Sequence, residues 1–176
     1  MTILGFRFGS RPNINAHMDL ITSKYNARSW VVRHLKLSGV PEKDISIVFS
    51  TTIRSCIEYA SVVYGPMLTK SQANELERMQ RRALKIIYGH KTSYADALSK
   101  AGLKPLEERR IATLEKFTRK AAANPRLEGW FPKHHVPQYG LRTIPTYEEE
   151  HATTDRLYRS PIFTMRRLLN ELSRKK

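Results

Sequence analysis

Arg78, Arg81, Arg82 and Lys85 stand at i, i+3, i+4 and i+7, the spacing that puts four side chains on one face of an α-helix. Long cations in such a row can follow a phosphodiester backbone while the opposite face of the helix stays packed. Arg109, Lys116 and Lys120 form a second, looser stripe on a later segment. The plainer alternative for both is a solvated helical face, with Glu75 and Glu77 offsetting part of the first stripe's charge. The whole chain carries the same bias: 31 Lys and Arg against 16 Asp and Glu among 176 residues, a net charge of +15. That balance points to a polyanionic partner, nucleic acid first and an anionic membrane surface second, or else to a basic coat that serves solubility. Aromatic residues are not interleaved with the cations as a base-stacking groove would have them, and Tyr25 and Trp30 are placed with the apolar side of the first helix, as core. Nothing indicates sequence-specific readout.

Other chemistries find fewer residues. Tyr94-Ala95-Asp96-Ala97 copies three letters of the Tyr-Ala-Asp-Asp polymerase motif but lacks its second aspartate. Two adjacent carboxylates are what that motif needs to bridge metal ions between a primer end and a nucleotide. With Ser93 before it the segment reads as a helix start, Asp96 serving as the acid of a capping box. The glycines form no phosphate-cradling loop, and neither a Gly-Lys-Ser/Thr nor a Gly-x-Ser-x-Gly pattern occurs. His134, His135 and His151 lie in an irregular stretch and read as surface or turn residues rather than metal ligands. The single cysteine, Cys56, excludes an internal disulfide and reads as a buried structural thiol. No cofactor is expected.

The elements that must carry these residues are mostly helical. Ile3 to Phe8 alternates and then breaks at Gly9, Arg11 and Pro12, which predicts a short strand with no partner downstream, as if its sheet belonged to a preceding part of a larger protein. Ile14, Met18, Ile21, Tyr25, Val32 and Leu35 predict a helix ending at Ser38-Gly39. Pro41 opens a second, with Ile45, Phe49, Ile53, Cys56, Ala60 and Val63 on its buried face and Ser50, Arg54 and Glu58 away from it. After the Gly65-Pro66 turn, a third helix from about Ser71 to Tyr88 buries Ala73, Leu76, Met79, Ala83 and Ile86, with Gly89 as its stop. A short helix runs from Ser93 to Gly102. Another begins with Pro105 in its first turn, Glu107 and Glu108 at its positive end, and Leu106, Leu114, Phe117 and Ala121 inward. Pro125, Pro132, Pro137 and Pro145 predict an extended, irregular stretch anchored by Trp130, Phe131, Tyr139 and Leu141. Ser160-Pro161 starts a last amphipathic helix with Ile162, Met165, Leu168 and Leu172 on one side.

Several stretches, in order, resemble one family: the region after the palm in LINE-type (non-LTR) retrotransposon reverse transcriptases, jockey-like elements especially. Ile3-Leu4-Gly5-Phe6 is similar to the family's hydrophobic-Leu-Gly strand that closes the palm. Ile57-Glu58-Tyr59-Ala60-Ser61-Val62-Val63-Tyr64 resembles its Leu-Glu-Tyr-Gly-Ser-x-Val-Trp. Leu76-Glu77-Arg78-Met79-Gln80-Arg81-Arg82-Ala83-Leu84-Lys85-Ile86-Ile87 resembles its Leu-x-x-Ile-Gln-Arg-Arg-Ala-Leu-Arg-Ile-Ile helix. Ser93-Tyr94 with Ala97-Leu98, then Gly102-Leu103, then Leu106-Glu107-Glu108-Arg109-Arg110 continue the likeness, which thins from Pro125 to Arg159. Ala60 replaces the usual Gly and Tyr64 the usual Trp. The family's catalytic palm, paired aspartates and upstream endonuclease are not in this chain.

These readings make the fold mainly α: a bundle of about five to six helices, a short N-terminal strand, and an irregular Pro-rich segment before a C-terminal helix. The expected division is 1–11 as the end of a palm-like strand and 12–124 as a thumb-like helical domain. Residues 125–160 form an irregular segment, and 161–176 the last helix with a basic tail. The resemblance implies a non-catalytic part of an RNA-directed DNA polymerase that grips the RNA–DNA template–primer, with a palm encoded upstream as a second partner. Two alternatives remain: a stand-alone, domesticated nucleic-acid-binding helical protein, and a helical interaction module for an acidic protein partner. With no signal-peptide core and no run of membrane-spanning length, an intracellular location, nucleus or cytoplasm, is expected.

Overall fold

The computed structural model describes residues 2–3, 6–7, 14–134, 145–149 and 151–174. It is mainly helical. In order come β1 (Thr2–Ile3), β2 (Phe6–Arg7), α1 (Asn15–Leu37), α2 (Glu42–Val48), a π-helical turn (Phe49–Arg54) and α3 (Ser55–Glu58). Next are α4 (Ser61–Tyr64), a 3₁₀ turn (Gly65–Met67), α5 (Lys70–Tyr88), α6 (Tyr94–Ala101) and α7 (Leu106–Ala122). A second 3₁₀ turn (Pro125–Trp130), α8 (Asp155–Tyr158) and α9 (Pro161–Arg174) complete the order.

The chain forms two compact units, Met1–Ser61 with Leu68–Arg110, and Val62–Met67 with Ile111–Lys176. The expected boundary at 124 is therefore displaced into α7. The reason is packing: Leu114, Ala121 and Ala122 of α7 cluster with Leu127, Phe131, Tyr147, Met165 and Leu169, so the later half of α7 belongs with the C-terminal elements.

In the first unit α1 packs on α5, with Ile14, Met18, Ile21, Tyr25 and Val32 buried as their helical period requires. Each such side chain contributes about 1.5–3 kcal/mol of burial. Gly39 ends α1 at φ +76°, and the Val40 N–H donates to Leu35 O (3.1 Å) and the Gly39 N–H to Lys36 O (3.2 Å), a Schellman closure. Leu103 on Leu98 (2.9 Å) and Gly102 on Ser99 (3.0 Å) repeat it at the end of α6. Trp30, expected in the core, is 56% exposed.

The expected lone strand is instead a pair. β1 and β2 run antiparallel with Thr2 opposite Arg7 and Ile3 opposite Phe6, each supplying the other's backbone partners. Leu4, Gly5 and Phe8 to Asn13 lie outside the described residues. The segment after Pro41 is helical, but the π turn adds a residue to its period. The buried row becomes Ile45, Phe49, Ile53 and Ile57; Cys56 is only half-buried, Val63 is exposed, and Arg54 turns inward. Helix then breaks at Tyr59–Ala60, where Ala60 takes φ +57°.

The second unit corrects four expectations. Phe117 is exposed, and Thr118 is the buried neighbour, its hydroxyl donating to Leu114 O (2.7 Å). Trp130 is 41% exposed while Phe131 is buried, so one anchor holds and the other does not. The described residues between 125 and 160 are less irregular than the prolines predict. Asn124 caps the 3₁₀ turn, Lys133 bridges Tyr147, and Asn170 of α9 both accepts from the Tyr147 N–H (2.9 Å) and donates to its carbonyl (3.0 Å). His135, Pro137, Tyr139 and Leu141 lie outside the described residues. In α9 the buried face is Met165, Arg166, Leu169 and Asn170; of the predicted row Ile162, Met165, Leu168 and Leu172, Met165 is buried and the other three are half-buried.

Candidate nucleic-acid interface

Helix α5 is built to show one face. Thr69 caps it reciprocally with Gln72, Oγ1 accepting from the Gln72 N–H (3.2 Å) and the Thr69 N–H donating to Gln72 Oε1 (3.0 Å). Gly89 closes the other end at φ +87°. Leu76, Met79, Gln80, Ala83, Leu84 and Ile87 are buried. At 100° per residue that row lies across the helix from Arg78, Arg81, Arg82 and Lys85, and all four cations are exposed. The predicted buried residues Ala73 and Ile86 are half-buried at its margins.

None of the ion pairs among the described residues involves these four cations. Arg81 lays its guanidinium 4.7 Å from the Tyr94 ring centroid. A cation–π contact uses the face of the group and leaves its in-plane N–H donors for other acceptors. The stripe is thus a row of charges without internal carboxylates.

Of Glu75 and Glu77, which sequence alone sets against the stripe, Glu75 is exposed one turn before Arg78 with no ion pair among the described residues, and Glu77 is committed elsewhere. The Glu77 carboxylate accepts from the Tyr94 hydroxyl and from the Leu106 N–H (3.1 Å). Gln80 Nε2 donates to the Tyr94 oxygen (2.9 Å) and to Lys104 O (3.3 Å), and Arg54 donates to the same carbonyl (2.8 Å). Arg54 also pairs with Glu58 (3.1 Å), whose carboxylate accepts from Arg109 Nε and Nη2 (2.6 and 2.9 Å). This polar network holds α5 to the α6–α7 connection and to the π turn. Burial first, then the bond to Glu77, raises the Tyr94 pKa far above that of a free phenol, so its hydroxyl stays a donor. Burial pushes the Arg54 pKa down, with Glu58 opposing. The bond to Glu58 pushes that of Arg109 up.

Arg109, Lys116 and Lys120 are all exposed on one face of α7, at i, i+7 and i+11, but only the two lysines carry no ion pair among the described residues. Arg109 belongs to the first unit and is spent on Glu58. Lys116 and Lys120 belong to the second unit and are exposed, with no ion pair among the described residues. No sequence signal pointed to Arg54, Glu58, Gln80 and Tyr94 as one network; only the burial of a Gln and an Arg inside apolar helices exposes it.

Tyr94-Ala95-Asp96-Ala97 is the first turn of α6. Ser93 Oγ accepts from the Asp96 N–H (3.1 Å), and its hydroxyl donates to the Asp96 carboxylate (2.6 Å), so Asp96 completes the cap through the side chain. Cys56 Sγ lies against Arg28 and Thr52 O. His134 and His151 are exposed, whereas His17, which carries no sequence motif, is buried and stacked on Phe6 at 4.2 Å. Among the described residues no group of three His, Cys, Asp or Glu could hold a metal ion, and no helix is long and apolar enough to cross a membrane. No family model matches the chain, and no curated protein or solved structure matches it either.

Proposed function

We propose that this chain is a non-catalytic, thumb-like part of a LINE-type reverse transcriptase that grips the phosphate backbone of an RNA–DNA template–primer through α5. The observation that carries it is the stripe Arg78, Arg81, Arg82 and Lys85: exposed together, opposite the packed face, and without carboxylate partners among the described residues. Phosphate oxygens are the acceptors such a row suits, and register along a backbone, not base identity, is what it would set. Two features of the resembling octapeptide support the kinship. Ala60 stands where the family carries Gly and adopts φ +57°, a conformation glycine takes freely. Tyr64 stands where it carries Trp and is fully buried, a place for a large aromatic. Arg109, held by Glu58, drops out of the contact set, and Lys116 and Lys120 remain secondary.

Titrating the full chain with an RNA–DNA hybrid at rising salt tests the reading. Affinity should fall steeply, and replacing all four stripe residues by Ala should flatten the log–log salt dependence by about three to four units, at about 0.9 per phosphate contact. Undetectable binding at low salt would overturn the proposal. An unchanged slope in the variant would show that another face makes the contacts.

A further inference from the structure

Trp30 is an exposed indole on a cationic helix face. Its side chain is 56% exposed on α1, with Arg33 and His34 at i+3 and i+4 on the same side of the helix. The His34 ring stands perpendicular to the indole, centroids 4.9 Å apart at 89°, and its Nδ1 lies 3.1 Å from Trp30 O. The indole is therefore steadied from one side while more than half of it faces solvent. Arg33 is exposed and enters no ion pair among the described residues.

This face adjoins the α5 stripe. The buried Tyr25 hydroxyl donates to Met79 O (3.0 Å), tying α1 to α5. Gln72 Nε2 of α5 likewise donates to Asn15 Oδ1 of α1 (2.9 Å), so the two helices run side by side in the same sense, and Trp30, five residues past Tyr25, comes level with the Arg81–Lys85 part of the stripe. Tyr158, another exposed aromatic, differs: Arg167 already covers its ring at 3.6 Å.

We infer that Trp30 is a stacking platform for an unpaired nucleobase of the strand whose phosphates the α5 stripe holds. An aromatic face beside cations is the arrangement by which proteins hold single-stranded bases without reading them, because every base has a π-face and its backbone brings the charge. An apolar protein surface would gain little from Arg33 standing one turn from the indole on the same side of the helix. The inference rests on the phosphate-gripping function proposed for α5 and adds a preference to it: a hybrid with a single-stranded overhang over a blunt one.

The experiment uses the full chain carrying Trp130→Phe, so that Trp30 alone reports, titrated with a blunt RNA–DNA hybrid and with the same hybrid bearing an unpaired overhang. Binding of the overhanging hybrid should quench Trp30 emission. Trp30→Ala should weaken that complex about tenfold or more while leaving blunt-hybrid affinity and the salt slope unchanged, and Trp30→Phe should keep most of the affinity. If both hybrids bind but Trp30→Ala affects neither, or both equally, the platform is overturned while the phosphate contacts stand. Failure of both hybrids to bind at low salt removes the underlying reading as well. Equal quenching by an acidic peptide would assign this face to a protein partner and overturn the inference.

Discussion

Ala60 sits at φ +57° between α3 and α4, where its Cβ crowds the backbone and glycine would not. An alanine in this region costs about 1–2 kcal/mol, and glycine's larger unfolded-state entropy returns about 0.5–1 of that. Ala60→Gly should therefore stabilise the chain by up to about 1 kcal/mol, read as a higher denaturation midpoint with an unchanged slope. A lower midpoint would mean that the Cβ makes packing contacts worth more than the strain. Legibility at this scale divides by residue chemistry. The four α5 cations and Ile14, Met18, Ile21 and Tyr25 follow from period alone, because a charged row and an apolar row each repeat along one helix. Arg54, Gln80 and Tyr94 do not, since their partners at Lys104 and Glu77 lie 17 to 50 residues away, and only three-dimensional placement brings buried polar groups together. Trp30 misleads in the opposite direction: hydrophobic by type, it faces solvent.

Helix ends were the most legible elements, because Gly39, Gly102 and Ser93 carry their own stereochemistry: two left-handed glycines and a hydroxyl facing a free N–H. The π turn was not, since one extra residue in the period leaves no mark in the hydrophobic pattern except the shift of burial from Cys56 to Ile57. The β1–β2 pair was half legible, extended but read as a single strand. What ties it down is Phe6 stacked on His17 of α1. Burial, and then the Lys24 charge, lower the His17 pKa below 6.5, so the folded chain binds a proton there less readily than the unfolded one. Stability is then full above about pH 6.5 and is lost as pH falls from there through the depressed folded value. Denaturation midpoints measured from pH 7.5 to 5 should decline in that window, and His17→Leu should remove that part of the decline. An identical pH profile in the variant would place the proton uptake elsewhere.

At the scale of the whole chain the governing quantity is the net charge of +15, and it acts on folding and on binding with opposite signs. Most of the ion pairs among the described residues are exposed and weak, worth at most about 1 kcal/mol each, so attraction does little to offset the mutual repulsion of 31 cationic side chains. Salt shortens the screening length from about 10 Å at 0.1 M to about 3 Å at 1 M, which relieves repulsion across the first unit before it weakens the closely bonded Arg54–Glu58–Arg109 cluster. Added sodium chloride should therefore raise the melting temperature. The same salt competes with the stripe for phosphate. With about four contacts at about 0.9 each, raising salt fourfold should weaken hybrid binding by about a hundredfold. Both quantities can be measured on one sample series, where they should move in opposite directions. A melting temperature that falls with salt would mean that internal ion pairs outweigh the repulsion. The cations of α5 would then be better read as part of the fold's own electrostatics than as a surface held ready for a polyanion.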